Sequence, residues 1–319
     1  MPAFIPQQID EIGDVQAVHL ASSMRRCRID VPSIGPVDTA YTEHGSRCPD
    51  RPPVVLLHGF DGSLLEFRRL IPELEAADLH TLAVDLAGWG FTCSKLFDAQ
   101  PDLQLGPQQK SDHLYEFWKS KVQQPMVLLG TSLGSAIAVH FAREHPECVR
   151  AMVMSGPQVY VDGLGMMQKF PRFVAGWGVE VLRSIPLRNM ANQMAYYDKQ
   201  TLATEDAMRI GRLHTFLPGW KSANIAFMRG GGYSVSKDIP NIQQDTIIFW
   251  GADDEILEKE NVKRFAQDLP KSRLIVVEQC GHCIHLERPR EIVDGLLDFI
   301  PELRGAPQAK RSSVTAPAT

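Results

Sequence analysis

Residues 126–145 decide the fold, and they read MVLLGTSLGSAIAVHFAREH. The apolar run 126–129 predicts a buried strand, and the segment 135–145 predicts a helix. Between them, residues 130–134 read GTSLG, which fits the pattern G-x-S-x-G at a strand-to-helix turn. The flanking glycines let strand and helix approach closely. The pattern therefore predicts a strained Ser132 whose hydroxyl projects above a sheet, facing the N–H groups that begin the helix.

Short apolar strand candidates alternate with helical patterns along most of the chain. This alternation predicts an α/β fold, with an eight-stranded, mostly parallel sheet and helices on both faces. The first two strands are joined by a short turn and predict an antiparallel edge. The strand candidates are 24–31, 37–43, 53–58, 81–85, 126–130, 150–155, 246–251 and 273–277.

One long segment interrupts this alternation. Residues 157–244 carry helical patterns, many Met and aromatic residues and no convincing strand, which predicts a helical cap over an apolar pocket. The α/β core is then expected at 24–156 and 245–303, after an N-terminal extension at 1–23. Residues 304–319 have few apolar side chains and are expected to be disordered.

A serine hydroxyl is a poor nucleophile until a base takes its proton. Of the ten histidines, His282 follows the last strand candidate in a Gly-His loop. That position places its imidazole at the carboxyl edge of the sheet, where Ser132 also lies. His285 is the only serious rival.

The base needs an acid to hold it in one tautomer. Asp253 and Asp254 follow the strand candidate 246–251, between Ser132 and His282 in chain order. Ser…Asp…His is the order expected for this motif. Asp254 is preferred, although spacing separates it only modestly from Asp253.

An oxyanion formed during acyl transfer needs two hydrogen-bond donors. The backbone N–H of Leu133, next to Ser132, is one candidate. The other is the backbone N–H of Phe60, in the loop His58-Gly59-Phe60 that follows a buried strand. Gly59 would let the backbone turn inward at that point.

Composition excludes several classes of protein. The chain has 319 residues with 33 Lys and Arg against 38 Asp and Glu, a net charge of −5, which is unfavourable for binding nucleic acid. The N-terminus has no secretory signal, and no segment is long and apolar enough to span a membrane. Six cysteines are too few for a disulfide scaffold. These features predict a soluble intracellular protein, in the cytoplasm or in an organelle such as the plastid.

Five short motifs in order resemble the α/β-hydrolase fold superfamily: LLHGFDG at 56–62, DLAGWGFT at 85–92, LLGTSLGS at 128–135, FWGADDEI at 249–256 and EQCGHCIHLERP at 278–289. The resemblance implies a Ser132–Asp254–His282 triad and no cofactor. No metal is expected, because Cys280 and Cys283 have no second Cys/His pair at zinc-ligand spacing. It also implies a serine hydrolase that cleaves a carboxylic ester, thioester or lactone of a small or lipophilic substrate through an acyl-enzyme on Ser132. Nucleophilic aspartate enzymes of the superfamily, such as epoxide hydrolases, are disfavoured because position 132 is serine.

Other functions stay open for this set of residues. The same triad serves hydrolases of C–C bonds and cofactor-free perhydrolases, and a hydrolase fold can also serve as a non-catalytic ligand-binding protein. Cys280-Gly281-His282-Cys283 resembles the active site of protein disulfide isomerases. Too little chain follows it for a thioredoxin domain, so this redox interpretation is disfavoured. Oxidation of the two cysteines would distort the loop that carries His282.

Overall fold

The sheet has the predicted number of strands and the predicted antiparallel edge. A computed structural model describes residues 1–92, 96–160, 162–165 and 169–304. Its strands run in the order β1-β2-β4-β3-β5-β6-β7-β8, with β2 antiparallel to both of its neighbours and every later pair parallel. The strands are β1 (Arg25–Val31), β2 (Gly35–His44), β3 (Val54–Leu57), β4 (Thr81–Val84), β5 (Met126–Thr131), β6 (Val149–Ser155), β7 (Asp245–Gly251) and β8 (Ser272–Val277).

Helices cover both faces of this sheet, as expected for parallel strands joined by crossovers. The helix that follows Ser132 begins at Leu133, two residues before the predicted start. The α-helices are α1 (Val15–Ser23), α2 (Leu70–Ala76), α3 (Leu96–Ala99), α4 (Pro107–Phe117), α5 (Leu133–Glu144), α6 (Arg172–Leu182), α7 (Ile185–Ala195), α8 (Lys199–Leu202), α9 (Glu205–Leu213), α10 (Trp220–Arg229), α11 (Lys259–Asp268), α12 (Ile284–Glu287) and α13 (Pro289–Phe299).

The central strands are apolar throughout because both faces of the sheet are covered. In β5, Met126 and Leu128 belong to one hydrophobic cluster, whereas Val127 and Leu129 belong to the cluster on the opposite side. All four side chains are fully buried. A strand with one solvated face would instead alternate apolar and polar residues. The eight-stranded α/β architecture predicted from these apolar runs is confirmed.

The first 23 residues pack against the core. Asp14 caps α1 by accepting the N–H of Ala17 at 3.0 Å, and it forms an ion pair with Arg68 at 2.9 Å. Ala17 and Leu20 on α1 are buried in the same cluster as the strands. This N-terminal segment therefore contributes to the core beside the element that follows β3.

Between β6 and β7, the described residues form five α-helices, α6–α10, and no strand. We call residues 157–244 the cap. Within the described ranges, no helix is long and apolar enough to cross a bilayer. Of the predicted disordered tail, residues 305–319 lie outside the described residues.

Candidate active site

Ser132 occupies the turn between β5 and α5 in a conformation that non-glycine residues rarely adopt. Its φ and ψ are 51° and −121°, and its N–H donates to the carbonyl oxygen of Ser155 at 2.9 Å. A methyl group at Gly134 would lie 2.3 Å from the carbonyl oxygen of Leu57, so only glycine permits this packing of α5 on β3. A strained, well-fixed serine at a strand-to-helix turn is what the sequence pattern predicts.

Both candidate oxyanion donors lie close to this serine. Leu133 is the first residue of α5, and the first N–H groups of a helix have no partner within it. The loop after β3 approaches from the other side, because a Cβ at Gly59 would stand only 3.2 Å from Cβ of Ser132. Phe60, the next residue, lines the same cavity as Ser132. The backbone amides of Phe60 and Leu133 are thus available near the hydroxyl.

His282 is hydrogen-bonded to an acid, and that acid is Asp254. Nδ1–H of His282 donates to Oδ2 of Asp254 at 2.8 Å, and both residues are buried. The other oxygen, Oδ1, accepts the N–H groups of Ile256 and Leu257 at 2.7 and 3.0 Å. These hydrogen bonds fix the carboxylate and keep the imidazole proton on Nδ1. Nε2 of His282 is therefore unprotonated and available as a proton acceptor.

A single cavity brings the serine and the histidine together. Ser132 and His282 both line a cavity of about 390 Å³, a volume typical of small-molecule sites. A Cβ at Gly156, which directly follows β6, would lie 3.1 Å from Nδ1 of His282. Since Ser155 holds the backbone of Ser132, the end of β6 contacts both residues.

A larger open cleft of about 750 Å³ lies elsewhere, between N-terminal residues such as Phe4 and cap residues such as Phe216. None of the three candidate triad residues lines it. The smaller cavity is therefore the candidate substrate pocket.

His285, the rival base, lies in different surroundings. It is buried, and burial lowers its pKa to about 3, so the ring is neutral at pH 7. The nearest acid, Glu66, is 3.9 Å away, and neither ring nitrogen has a hydrogen-bond partner among the described residues. The arrangement that orients a catalytic imidazole is found at His282.

Glu287 holds the loop of His282 against the cap, and nothing in the sequence signalled it. One carboxylate oxygen accepts the N–H of Gly281 at 2.5 Å, next to His282. The carboxylate also accepts the N–H groups of Tyr197 and Asp198 at 3.0 and 2.9 Å. A buried carboxylate with three backbone donors fixes the loop strongly, because charge-assisted hydrogen bonds are among the strongest in proteins.

Asp61 forms a second link between the core and the cap, one residue after Phe60. Its Oδ1 accepts from Nε1 of Trp220 at 2.8 Å, from Nε2 of His214 at 3.2 Å and from Nδ2 of Asn224 at 3.3 Å. Its Oδ2 forms an ion pair with Arg188 of α7. Burial alone would raise the pKa of Asp61, but His214 and Arg188 lower it to about 2. A buried charge of this kind persists only while it is paired.

Two further ionisable groups line the pocket. Burial raises the pKa of Glu66 to about 7, well above its ordinary value, so this carboxyl titrates near neutral pH. Burial also raises the pKa of the Cys283 thiol, which makes it a poor nucleophile. Cys280 and Cys283 are both free thiols. No cluster of metal-binding side chains occurs among the residues that the structure describes.

Comparison with known proteins shows the family to which the chain belongs. The family model described as serine aminopeptidase, S33 matches residues 49–289, which is more than half of the chain. The chain therefore belongs to this family of α/β hydrolases. The superfamily predicted from the five motifs is confirmed.

Individual relatives extend along most of the chain. The α/β hydrolase domain-containing protein VTE7 of Arabidopsis thaliana is 36% identical over 303 residues, covering 93% of this chain and 90% of the relative. The monoacylglycerol lipase ABHD6 of Bos taurus is 23% identical, with coverages of 82% and 79%. A 2-hydroxy-6-oxo-2,4-heptadienoate hydrolase of Pseudomonas putida is 27% identical, with coverages of 78% and 88%.

A solved structure supports the architecture. An esterase from Thermogutta terrifontis superimposes with a TM-score of 0.71, covering 88% of this chain and 100% of that structure at 16% identity. At this identity, the similarity establishes the shared fold alone.

Proposed function

We propose that this hydrolase cleaves a carboxylic ester, or a thioester or lactone, through an acyl-enzyme on Ser132. The observation that carries the proposal is the 2.8 Å hydrogen bond from His282 to Asp254, in the cavity that Ser132 also lines. An oriented imidazole beside a serine at a strand-to-helix turn is the arrangement that activates a hydroxyl.

The reaction would proceed in two halves. Nε2 of His282 takes the proton from Ser132 as the oxygen attacks the ester carbonyl, and the N–H groups of Phe60 and Leu133 stabilise the oxyanion. His282 then protonates the departing alcohol. A water molecule enters, gives a proton to His282 and releases the acid from Ser132, which regains its proton. Asp254 stabilises the imidazolium in both halves.

The pocket favours an apolar acyl or alcohol group. Its cap side includes the apolar side chains of Ala191 and Ala195 of α7 and of Met208 and Ile210 of α9, beside the polar Arg188 and Asn192. Burying apolar substrate surface against such side chains contributes about 25 cal/mol per Å². The name of one relative, monoacylglycerol lipase, points in the same direction. A small or lipophilic ester is therefore the proposed substrate class.

Replacing Ser132 with alanine tests the proposal. We expect the Ser132→Ala variant to fold normally and to lose p-nitrophenyl ester hydrolysis by about 10³-fold or more, because no acyl-enzyme can form. A fluorophosphonate probe should label the wild-type protein at Ser132 and leave the variant unlabelled. Retention of the parent rate by the variant would contradict the assignment, and absence of labelling would favour a non-catalytic binding protein.

A second candidate activity is hydrolysis of a C–C bond in a dienoate, which the similarity to the Pseudomonas putida hydrolase favours. The two activities can be distinguished by comparing kcat/KM for the two kinds of substrate. Turnover of a 2-hydroxy-6-oxo-dienoate at a higher kcat/KM than a series of p-nitrophenyl esters would favour the C–C hydrolase. We expect the esters, particularly those with longer acyl chains, to be the better substrates.

A further inference from the structure

Helix α6 of the cap has apolar side chains on two opposite faces, and only one of them is covered. Its inner face, with Ala175 and Val179, packs against Trp220 and Ile225. A helix that is apolar on all sides is normally buried on all sides, because the exposed apolar surface is costly in water. The uncovered face therefore needs an explanation.

The outer face of α6 is formed by Phe173, Trp177 and Val181. These residues are spaced by four, so they share one side of the helix. Their exposed fractions are 72%, 80% and 56%, respectively. Other exposed apolar residues lie nearby in sequence, namely Phe170, Val174, Ile185 and Met190. Single exposed apolar residues are ordinary, but a contiguous set of this kind marks an interaction surface.

Basic side chains stand near both ends of α6. Lys169 precedes the helix, Arg172 is its first residue, and Arg183 follows its last residue and pairs with Glu180 at 2.7 Å. Lys221 packs beside it, with Nζ 2.9 Å from Glu180, the one acid within α6. An aromatic face bordered by Lys and Arg is the pattern of helices that lie in a membrane interface.

The charge of the cap differs in sign from that of the whole chain. Residues 157–244 contain ten Lys and Arg against six Asp and Glu, although the chain has 33 against 38. A cationic cap on an acidic protein is attracted to an anionic surface and orients towards it, since each basic residue near an anionic membrane contributes favourably.

We propose that the outer face of α6 docks the protein on an anionic lipid surface. Phe173 and Trp177 would enter the boundary between headgroups and acyl chains, while the flanking basic side chains contact lipid phosphates. The next helix in the chain, α7, lines the candidate pocket through residues such as Ala191 and Ala195. A docked cap would therefore hold the pocket close to lipophilic molecules in the membrane. The docking itself does not depend on the proposed ester hydrolysis.

A second copy of the chain is a poorer occupant of this face. A two-fold symmetric contact would pair α6 with an antiparallel copy of itself. Such pairing sets Lys169 and Arg172 of one copy against Arg183 of the other, and like charges repel at an interface. An anionic surface instead complements all three.

Vesicle sedimentation tests the proposal with the full-length protein. We expect the protein to sediment with vesicles that contain phosphatidylcholine and phosphatidylglycerol, weakly with phosphatidylcholine alone, and less at high salt because the ionic attraction is screened. The double variant Phe173→Ser, Trp177→Ser should lower the partition coefficient by about 100-fold, at about tenfold for each aromatic side chain withdrawn from the interface. Val15→Ser is the matched control, because Val15 is 78% exposed and lies on α1, outside the cap.

A spectroscopic measurement makes the test independent of protein recovery. Trp89, Trp220 and Trp250 are buried, and Trp118 is half-buried against the core outside the cap. A shift of tryptophan emission to shorter wavelength on vesicle binding should therefore come mainly from Trp177, which is 80% exposed. Trp177→Phe should keep most of the binding and lose most of the shift. Equal binding to neutral and anionic vesicles, or undiminished binding by the double variant, would overturn the proposal. A wild-type dimer in light scattering that the double variant lacks would instead identify this face as a contact between copies.

Discussion

Asp61 offers the sharpest test of how the cap supports the candidate active site. Its carboxylate accepts three side-chain hydrogen bonds and pairs with Arg188, and both partners of this ion pair are largely shielded from solvent. Asp61→Asn keeps one acceptor oxygen and turns an amide group towards the guanidinium. Removing one partner of a buried ion pair typically costs about 3–5 kcal/mol, and we expect about 3 kcal/mol here because an oxygen remains. Urea unfolding measures this loss.

The same substitution should alter catalysis and the acid response. Asp61 directly follows Phe60, so a disturbed loop should lower kcat for ester hydrolysis by about tenfold. The pKa of Asp61 in the folded protein, about 2, lies below the ordinary value of 3.8. Its contribution to stability is therefore complete above pH 3.8 and is lost as the pH falls towards 2. Asp61→Asn should lack this part of the acid dependence.

Two controls make the result interpretable. Asp245→Asn removes an exposed carboxylate that faces Arg150 at 3.5 Å, and it should change stability by less than about 1 kcal/mol. Arg188→Met combined with Asp61→Asn removes both charges. The double variant should therefore lose less unfolding free energy than the two single variants lose together, and the difference should be about 2 kcal/mol. Additive losses, or an Asp61→Asn variant within about 0.5 kcal/mol of wild type, would refute the reasoning.

Two carboxylates around the pocket give further predictions. Glu287→Gln loses acceptor capacity for the N–H groups of Gly281, Tyr197 and Asp198, so we expect a loss of about 2 kcal/mol in urea unfolding and a lower kcat with KM little changed. Equal kinetics would show that the loop of His282 does not need this anchor. The pKa of Glu66 is raised from 4.5 to about 7, so wild type loses stability as the pH rises through that window, and Glu66→Gln should not. After allowance for solvent screening, the unfolding free energy of Glu66→Gln should rise by about 1–2 kcal/mol relative to that of wild type as the pH increases from 4.5 to 7. A difference between the two proteins that does not change with pH would contradict this ionisation of Glu66.

The sheet and the positions of the candidate triad could be predicted from sequence because both follow from local patterns. Buried parallel strands are short apolar runs, and the strand-to-helix turn at Ser132 has its own motif. Asp254 and His282 could be predicted as candidates because each follows a strand, and the carboxyl ends of parallel strands meet at one edge. The spacing alone could not separate Asp253 from Asp254, which required the observed hydrogen bond.

The links between cap and core could not be predicted in the same way. Asp61 finds its partners in α7, α10 and the turn at His214, all distant in sequence, so their contact depends on how the cap folds back. Glu287 lies next to Arg288 and close to Arg290, so in the sequence it resembles an ordinary surface residue with ion-pair partners. An acid within the apolar loop 56–62 was a usable signal for Asp61, whereas Glu287 offered none.

Arg188 has a consequence for engineering the pocket. It lines the cavity beside Ala191 and Asn192, yet it also holds Asp61 and, through Asp61, the loop of Phe60. A mutant library meant to alter substrate preference can vary Ala191, whereas Asn192 also donates to the carbonyl oxygen of Thr204 at 3.0 Å. The same library should leave Arg188 unchanged, because replacing Arg188 would disturb the loop of Phe60 and lower activity towards every substrate.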